Sequence, residues 1–189
     1  VGTFGDFGSF SLHPRKAISS GEGGLLVVNN ATDDKNVRIL RNHGIDVVDG
    51  KMEFVKAGFN YRLTDFQAAL VSSQFERLTA TLEKKQQLAK LYFEHIDNSN
   101  VKLPVVPEGM THTWQTFHVL LKSNELRDQA IVELRKNGIG TNYGAQCIPA
   151  QNYYYSKYKL DFKLLFPNAF RAYQNGLAIP LYEKLTREN

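Results

Sequence analysis

Apolar residues along this chain come first in short runs broken by glycine, and only later at helical spacing. A glycine-broken run ending at Ser11, a polar stretch through Lys16, the sequence Gly21-Glu22-Gly23-Gly24 and an apolar run from Leu25 to Val28 predict a strand-loop-strand unit. Thr32 to Asn42 predicts a helix capped by Thr32 or Asp33, with Val37 and Leu40 on its inner side and Arg38 and Arg41 outside. Gly44 offers that helix a left-handed stop. Residues 45–56 are polar and mixed, and read as a surface loop or a short hairpin. Thr64 followed three residues later by Gln67 is a capping box, and the Ala-rich continuation propagates a helix. Leu70, Leu78, Leu82, Leu88, Leu91 and Ile96 extend an intermittent apolar stripe with no glycine or proline between Gly58 and Pro104. One long helix, or two joined by a bend, is expected there. The heptad pattern is not kept over enough repeats for a coiled coil.

From Val101 the pattern changes. Short apolar runs (Val101–Leu103, Phe117–Leu121, Leu177–Ile179) alternate with a helix from Asn124 to Lys136, capped by Ser123 and ended by Gly138. A last helix spans Asn168 to Gln174, with Phe170 and Tyr173 turned inward. Trp114, Phe117 and Val119 are candidate core. The tyrosine cluster Tyr153-Tyr154-Tyr155 with Tyr158 is expected to pack as an interface rather than to stack on a base. Gly138-Ile139-Gly140 ends a helix instead of opening one after a strand, which rules out a dinucleotide-binding turn.

The length of 189 residues allows one domain with a real core or two small ones. The net charge of +4 suits an anionic ligand such as a nucleotide diphosphate sugar, and is equally a neutral fact about solubility. No concentrated basic stripe points to nucleic acid, and Glu83-Lys84-Lys85 reads as the solvated face of a helix. The single cysteine, Cys147, cannot form a disulfide within the chain, which fits a reducing, cytoplasmic setting. No apolar run approaches the ~20 residues of a membrane span, and no signal peptide opens the chain. No histidine, cysteine or carboxylate spacing suggests a metal site.

The candidate chemistry centres on Lys16. A lysine amine becomes a nucleophile only on giving up its proton, so its reference pKa of about 10.4 has to be lowered by burial or by a neighbouring positive charge. Lys16 sits in the strand-loop-strand unit beside Arg15, with Pro14 stiffening the backbone before it. Alone, that is weak, because most lysines are solvated surface charges. The surrounding residues add to it. Gly5-Asp6-Phe7-Gly8-Ser9-Phe10-Ser11, the five-residue step from Ser11 to Lys16, and Gly-Glu-Gly-Gly before a strand together resemble the lysine segment of the DegT/DnrJ/EryC1 family of pyridoxal-phosphate (PLP) sugar aminotransferases. Leu40-Arg41-Asn42-His43-Gly44, Gly58-Phe59-Asn60-Tyr61-Arg62 and Leu177-Ala178-Ile179-Pro180-Leu181-Tyr182 are similar to further family segments.

The resemblance implies an α/β, fold type I transferase. Residues 1–78 would form the C-terminal part of its large domain and residues 79–189 a small α+β domain. It implies pyridoxal 5'-phosphate as cofactor, carried by Lys16, with Ser11 on its phosphate. Asn60 would reach the partner's cofactor phosphate across a homodimer with shared active sites. Arg62, Tyr61 and His118 become candidate substrate contacts, with an arginine that buttresses its loop through backbone carbonyls as the other reading of Arg62. A nucleotide-linked keto sugar and an amino-acid donor, glutamate by resemblance, are the implied substrates. Many family members carry histidines in a loop near the sugar; here Gly144, Gln146, Pro149 and Gln151 occupy the neighbourhood, which bears on the sugar and the position aminated. Only the second half of a family member is matched, so an upstream half supplying the remaining cofactor contacts is expected. Two other readings stand beside this one. A branch of the family dehydrates its sugar with histidine in place of this lysine, which Lys16 argues against. A non-catalytic C-terminal fragment that binds or dimerises is the other.

Overall fold

The structure, a computed structural model, describes residues 2–97 and 99–186. The chain divides into two compact units, Val1–Thr79 and Ala80–Asn189.

In the first unit the expected strand-loop-strand is present. Strands β1 (Phe7–Ser11) and β2 (Gly24–Val28) pair antiparallel, with Phe7 opposite Val28 and Ser11 opposite Gly24. Helix α1 (Ala31–Arg41) follows. Its cap is Asn30, not Thr32 or Asp33: the Asn30 side chain accepts from the Asp33 N–H at 2.8 Å, which puts the cap ahead of both residues expected from the sequence. Ile39, rather than Leu40, is its buried apolar residue. Gly44 closes the helix at φ +77°, donating to the Ile39 carbonyl at 2.9 Å, and a Cβ there would overlap the Lys56 carbonyl. The hairpin option for residues 45–56 is realised as β3 (Ile45–Val48) and β4 (Lys51–Phe54), joined at Asp49-Gly50 with positive φ at both turn residues. The capping box forms as expected, with the Gln67 N–H donating to Thr64 Oγ1 and the Thr64 N–H to Gln67 Oε1. The stripe that follows is two helices, α2 (Asp65–Phe75) and α3 (Leu78–His95), broken at Glu76-Arg77.

The second unit has a three-stranded antiparallel sheet in the order β5-β6-β7: Val101–Lys102, Phe117–Leu121 and Gly176–Ile179. Strand β6 alternates, with Phe117, Val119 and Leu121 buried on one face and His118 and Leu120 half-buried on the other. The buried face meets Ala89 and Tyr92 of α3 and Leu126, Ala130, Ile131 and Leu134 of helix α4 (Asn124–Lys136). Phe117 has no exposed surface, and its ring lies 4.9 Å from Tyr92, 5.3 Å from Phe93 and 5.2 Å from Trp114. The Tyr92 hydroxyl donates to the Pro180 carbonyl, and burial followed by the nearby Tyr182 phenol pushes its pKa above the usual tyrosine value.

Helices α5 (Asn152–Tyr158), α6 (Phe162–Leu165) and α7 (Pro167–Asn175) complete the unit. Phe170 and Tyr173 are half-buried as expected. Tyr153, Tyr154, Tyr155 and Tyr158 are all exposed within the chain; Tyr153 meets Tyr154 edge-on at 5.2 Å, Tyr155 meets Phe162 at 5.8 Å, and lysine amines lie over the rings of Tyr153, Tyr155 and Tyr158. Replacing Phe117 by alanine is expected to cost about 3–5 kcal/mol of stability. Denaturant unfolding of the variant measures it, and a loss under about 1 kcal/mol would show that this cluster is not the core of the unit.

Candidate functional site

The segment around Lys16 is a chain of local turns. The Ser11 hydroxyl accepts from the His13 N–H at 3.3 Å, His13 Nδ1 accepts from the Arg15 N–H at 3.2 Å, and the His13 carbonyl accepts from the Lys16 N–H at 2.9 Å. The base of the loop is closed by the Leu12 N–H on the Gly23 carbonyl and the Ser20 N–H on the Leu12 carbonyl, each at 3.0 Å, with Leu12 and Ser20 buried. Lys16 itself is exposed, and its ammonium has no hydrogen-bond or ion-pair partner among the described residues. The burial expected for this amine is therefore absent in the chain by itself. The physical reason lies in the strands: β1 and β2 form a two-stranded ribbon with most of both faces exposed, so among the described residues neither strand covers the Lys16 amine.

Two side chains on one face of α2 hold this loop from the other end. Gln74 meets the Ser19 peptide at two points, Oε1 accepting the Ser19 N–H at 3.1 Å and Nε2 donating to the Ser19 carbonyl at 2.8 Å. Gln67 Nε2 donates to the Glu22 carbonyl at 2.8 Å. The sequence reading found Gln67 only as a cap residue and missed Gln74. The available signal was two amide side chains seven positions apart, which is two helical turns and one face.

The Asn60-Tyr61-Arg62 stretch lies where expected, just ahead of the α2 capping box. It is fastened to the end of α1 by the Phe59 N–H on the Leu40 carbonyl (2.7 Å), the Tyr61 N–H on the Arg41 carbonyl (2.8 Å) and the His43 N–H on the Phe59 carbonyl (2.9 Å). Phe59 and Tyr61 stack with ring centroids 5.1 Å apart. Arg62 Nε donates to Asn60 Oδ1 at 2.7 Å, so this arginine braces a side chain, not the backbone carbonyls considered from sequence. Asn60, Tyr61 and Arg62 are all exposed. An exposed guanidinium beside an amide and the N-terminus of a helix is chemically suited to an anionic oxygen.

In the second unit, His118 Nε2 lies 3.2 Å from the Tyr143 carbonyl. Gly144, at φ +71°, sits flat against that imidazole, and a Cβ there would come within 2.4 Å of His118 Cδ2. This gives a local reason for glycine at position 144. Buried Arg127 lies under the Tyr143 ring, 4.3 Å from its centroid, and donates to the Tyr173 carbonyl at 3.1 Å. Among the described residues no group of histidine, cysteine, aspartate or glutamate side chains could hold a metal ion, and no helix is long and apolar enough to cross a membrane.

The model of the DegT/DnrJ/EryC1/StrS aminotransferase family matches residues 1–189. Among curated proteins, the UDP-N-acetyl-3-dehydro-alpha-D-glucosamine 3-aminotransferase of Acidithiobacillus ferrooxidans is 29% identical over 195 residues, covering 100% of this chain and 49% of that protein. The UDP-4-amino-4,6-dideoxy-N-acetyl-beta-L-altrosamine transaminase of Campylobacter jejuni serotype O:2 is 30% identical over 193 residues, covering 98% of this chain and 50% of that protein. Among solved structures, a protein of Streptococcus pneumoniae described as a sugar aminotransferase, in its PMP form, superposes with a TM-score of 0.89 at 25% identity, over 99% of this chain and 49% of that one. The chain spans about half the length of the curated relatives it matches.

The packing of Gly144 on His118 makes a specific prediction. Gly144→Ala is expected to destabilise the chain by roughly 1–3 kcal/mol through positive φ and the clash with the imidazole. In a His118→Ala background the clash part is relieved, so the two substitutions are non-additive in denaturant unfolding. Strict additivity would show that the glycine answers to its backbone angle alone.

Proposed function

This chain belongs to the DegT/DnrJ/EryC1/StrS aminotransferase family, and from that premise we propose that it carries the reactive lysine of a PLP-dependent aminotransferase acting on a nucleotide-linked keto sugar. The observation that carries the reading is the spacing in the Lys16 loop: a lysine five residues after a serine hydroxyl on the last residue of β1, followed by the Gly-Glu-Gly-Gly turn into β2. The same residues fit pyridoxal 5'-phosphate by their chemistry. The amine suits an aldehyde. The Ser11 oxygen accepts from the His13 N–H and keeps its own proton to donate to a phosphate oxygen.

When bound, pyridoxal 5'-phosphate supplies the aldehyde and the electron sink that amino transfer requires. Lys16 Nζ holds the group in the resting protein and, once released, moves the proton at the carbon whose nitrogen is transferred. Ser11 orients the phosphate. Asn60, ahead of α2, serves the phosphate of a partner subunit, which makes a homodimer with shared sites the working unit. Arg62 and Tyr61 contact the anionic, nucleotide-bearing end of the substrate, the arginine being pre-set by its bond to Asn60. His118 has Nε2 engaged by the Tyr143 carbonyl, so its substrate contact uses Nδ1. The amino donor is proposed to be glutamate, and fold type I, with a large-domain part followed by a small domain, is the proposed architecture. A cytoplasmic setting is supported by the single cysteine, which is buried and free.

Relatives named as transaminases or aminotransferases of UDP-linked sugars support this reading, as do Lys16 and Ser11 at the family spacing. Lys16 also speaks against the dehydrating branch. One observation favours a second reading for the chain by itself: with Lys16 exposed, binding or dimerisation without catalysis is the expected behaviour of these 189 residues alone.

The test is capture of the cofactor. The intact protein carrying this sequence is expected to develop a visible absorbance band with pyridoxal 5'-phosphate. Borohydride should then fix the cofactor mass on the peptide containing Lys16, and Lys16→Met should abolish both signals. A protein that shows neither, or is labelled equally well in the variant, would refute the assignment. An assay against several UDP-linked keto sugars then identifies the acceptor.

A further inference from the structure

We propose that Gln74 is a positioning residue for Lys16, acting through the Ser19 peptide. The inference rests on the reading of Lys16 given above and adds a residue that neither the motif nor the family resemblance singled out. Its basis is geometric. The Gln74 amide pairs with the Ser19 peptide as one strand residue pairs with another, accepting its N–H and donating to its carbonyl. Both contacts are partly buried and join residues 55 positions apart in sequence. The Gln74 Nε2 group also donates to the Leu70 carbonyl at 2.8 Å, one turn earlier in the same helix, which fixes the side chain before it meets the loop. Ser19 is fixed in turn by its own hydroxyl, which donates to the Leu12 carbonyl at 3.0 Å and accepts the Gly21 N–H at 3.0 Å.

Lys16 stands three residues from this anchor. Three peptide units span at most roughly 10 Å, so fixing Ser19 bounds where the lysine backbone can be. The loop between Leu12 and Gly23 is also tied at its base, by short-range turns and by Gln67 on Glu22, and the Gln74 clamp adds a two-point tie from α2 nearer to Lys16. The clamp also refers the Lys16 loop to the helix whose first turn follows Asn60 and Arg62. Two segments with proposed cofactor contacts then share one rigid element. A reactive group has to be held to a fraction of an ångström, and an exposed loop cannot do this through its own turns.

The test uses the intact protein in two variants. Gln74→Met keeps length and volume and removes both hydrogen bonds. Gln74→Glu keeps an acceptor for the Ser19 N–H and loses the donor to its carbonyl. Amide exchange read residue by residue is expected to show Ser19 exchanging roughly tenfold faster in Gln74→Met, with less change in Gln74→Glu and none in β1 and β2. In the same Met variant, borohydride-fixed cofactor on Lys16 should form roughly tenfold more slowly and kcat fall with it, while KM for the nucleotide sugar stays within about twofold. Unchanged Ser19 exchange overturns the clamp. Equal acceleration across β1, β2 and α2 reduces Gln74 to general stability and overturns positioning. Faster Ser19 exchange with unchanged capture overturns the link to Lys16. Absence of capture in the unsubstituted protein is a separate result: it refutes the aminotransferase reading, and the link to Lys16 with it, while Ser19 protection still reports the clamp.

Discussion

The first unit of this chain is held together by hydrogen bonds more than by a core. Leu12 and Ile39 are its buried apolar side chains among the described residues, whereas Phe4, Met52, Phe54 and Phe66 are largely exposed. Apolar burial is usually the dominant stabilising term. Here the loop bearing Lys16 is fixed instead by directed contacts. Its backbone closes on itself at Leu12, and the side-chain amides of Gln67 and Gln74 reach it from α2. A hydrogen bond contributes only about 0.5–1.5 kcal/mol net, but it fixes geometry in a way that apolar contact does not. If Lys16 has the role proposed for it, a strand-loop-strand presenting its amine at a set place suits that kind of constraint.

The second unit is built on the opposite principle. Phe117, Val119 and Leu121 alternate along β6 into an aromatic and aliphatic cluster closed by α3 and α4. The other face of the same strand carries His118, which faces the backbone of Tyr143 and Gly144. The pleat therefore separates the residue that packs from the residue that positions a loop, with one residue of sequence between them. Buried Arg127 extends this arrangement by lying under Tyr143 while satisfying the Tyr173 carbonyl. The segment after Gly140 is thus fixed by a ring, a guanidinium and an imidazole, none of which needs a regular strand or helix at that point.

Local signals were readable where the interaction itself is local. The capping box at Thr64 and Gln67, the Ser123 cap of α4 and the stop at Gly138 involve neighbours within a few residues, and each is present; over residues 45–56, left open between loop and hairpin, the hairpin is the form taken. Family membership was legible for a related reason, since Ser11, Lys16 and the glycines around them sit at fixed spacings along one stretch. Where two local solutions were nearly equal, the reading slipped. Asn30 and Thr32 are both competent caps, and backbone placement favoured Asn30.

The sequence by itself determined the family, the spacing of its motif residues and most element boundaries, because caps, turns and alternation are written in short windows. Only the tertiary structure decided that Gln74 meets Ser19 across 55 positions, that Gly144 lies on the His118 ring, and that Lys16 is exposed in this chain. Those facts depend on which surfaces meet. A single sequence lists the groups available for such meetings, and chain geometry selects among them.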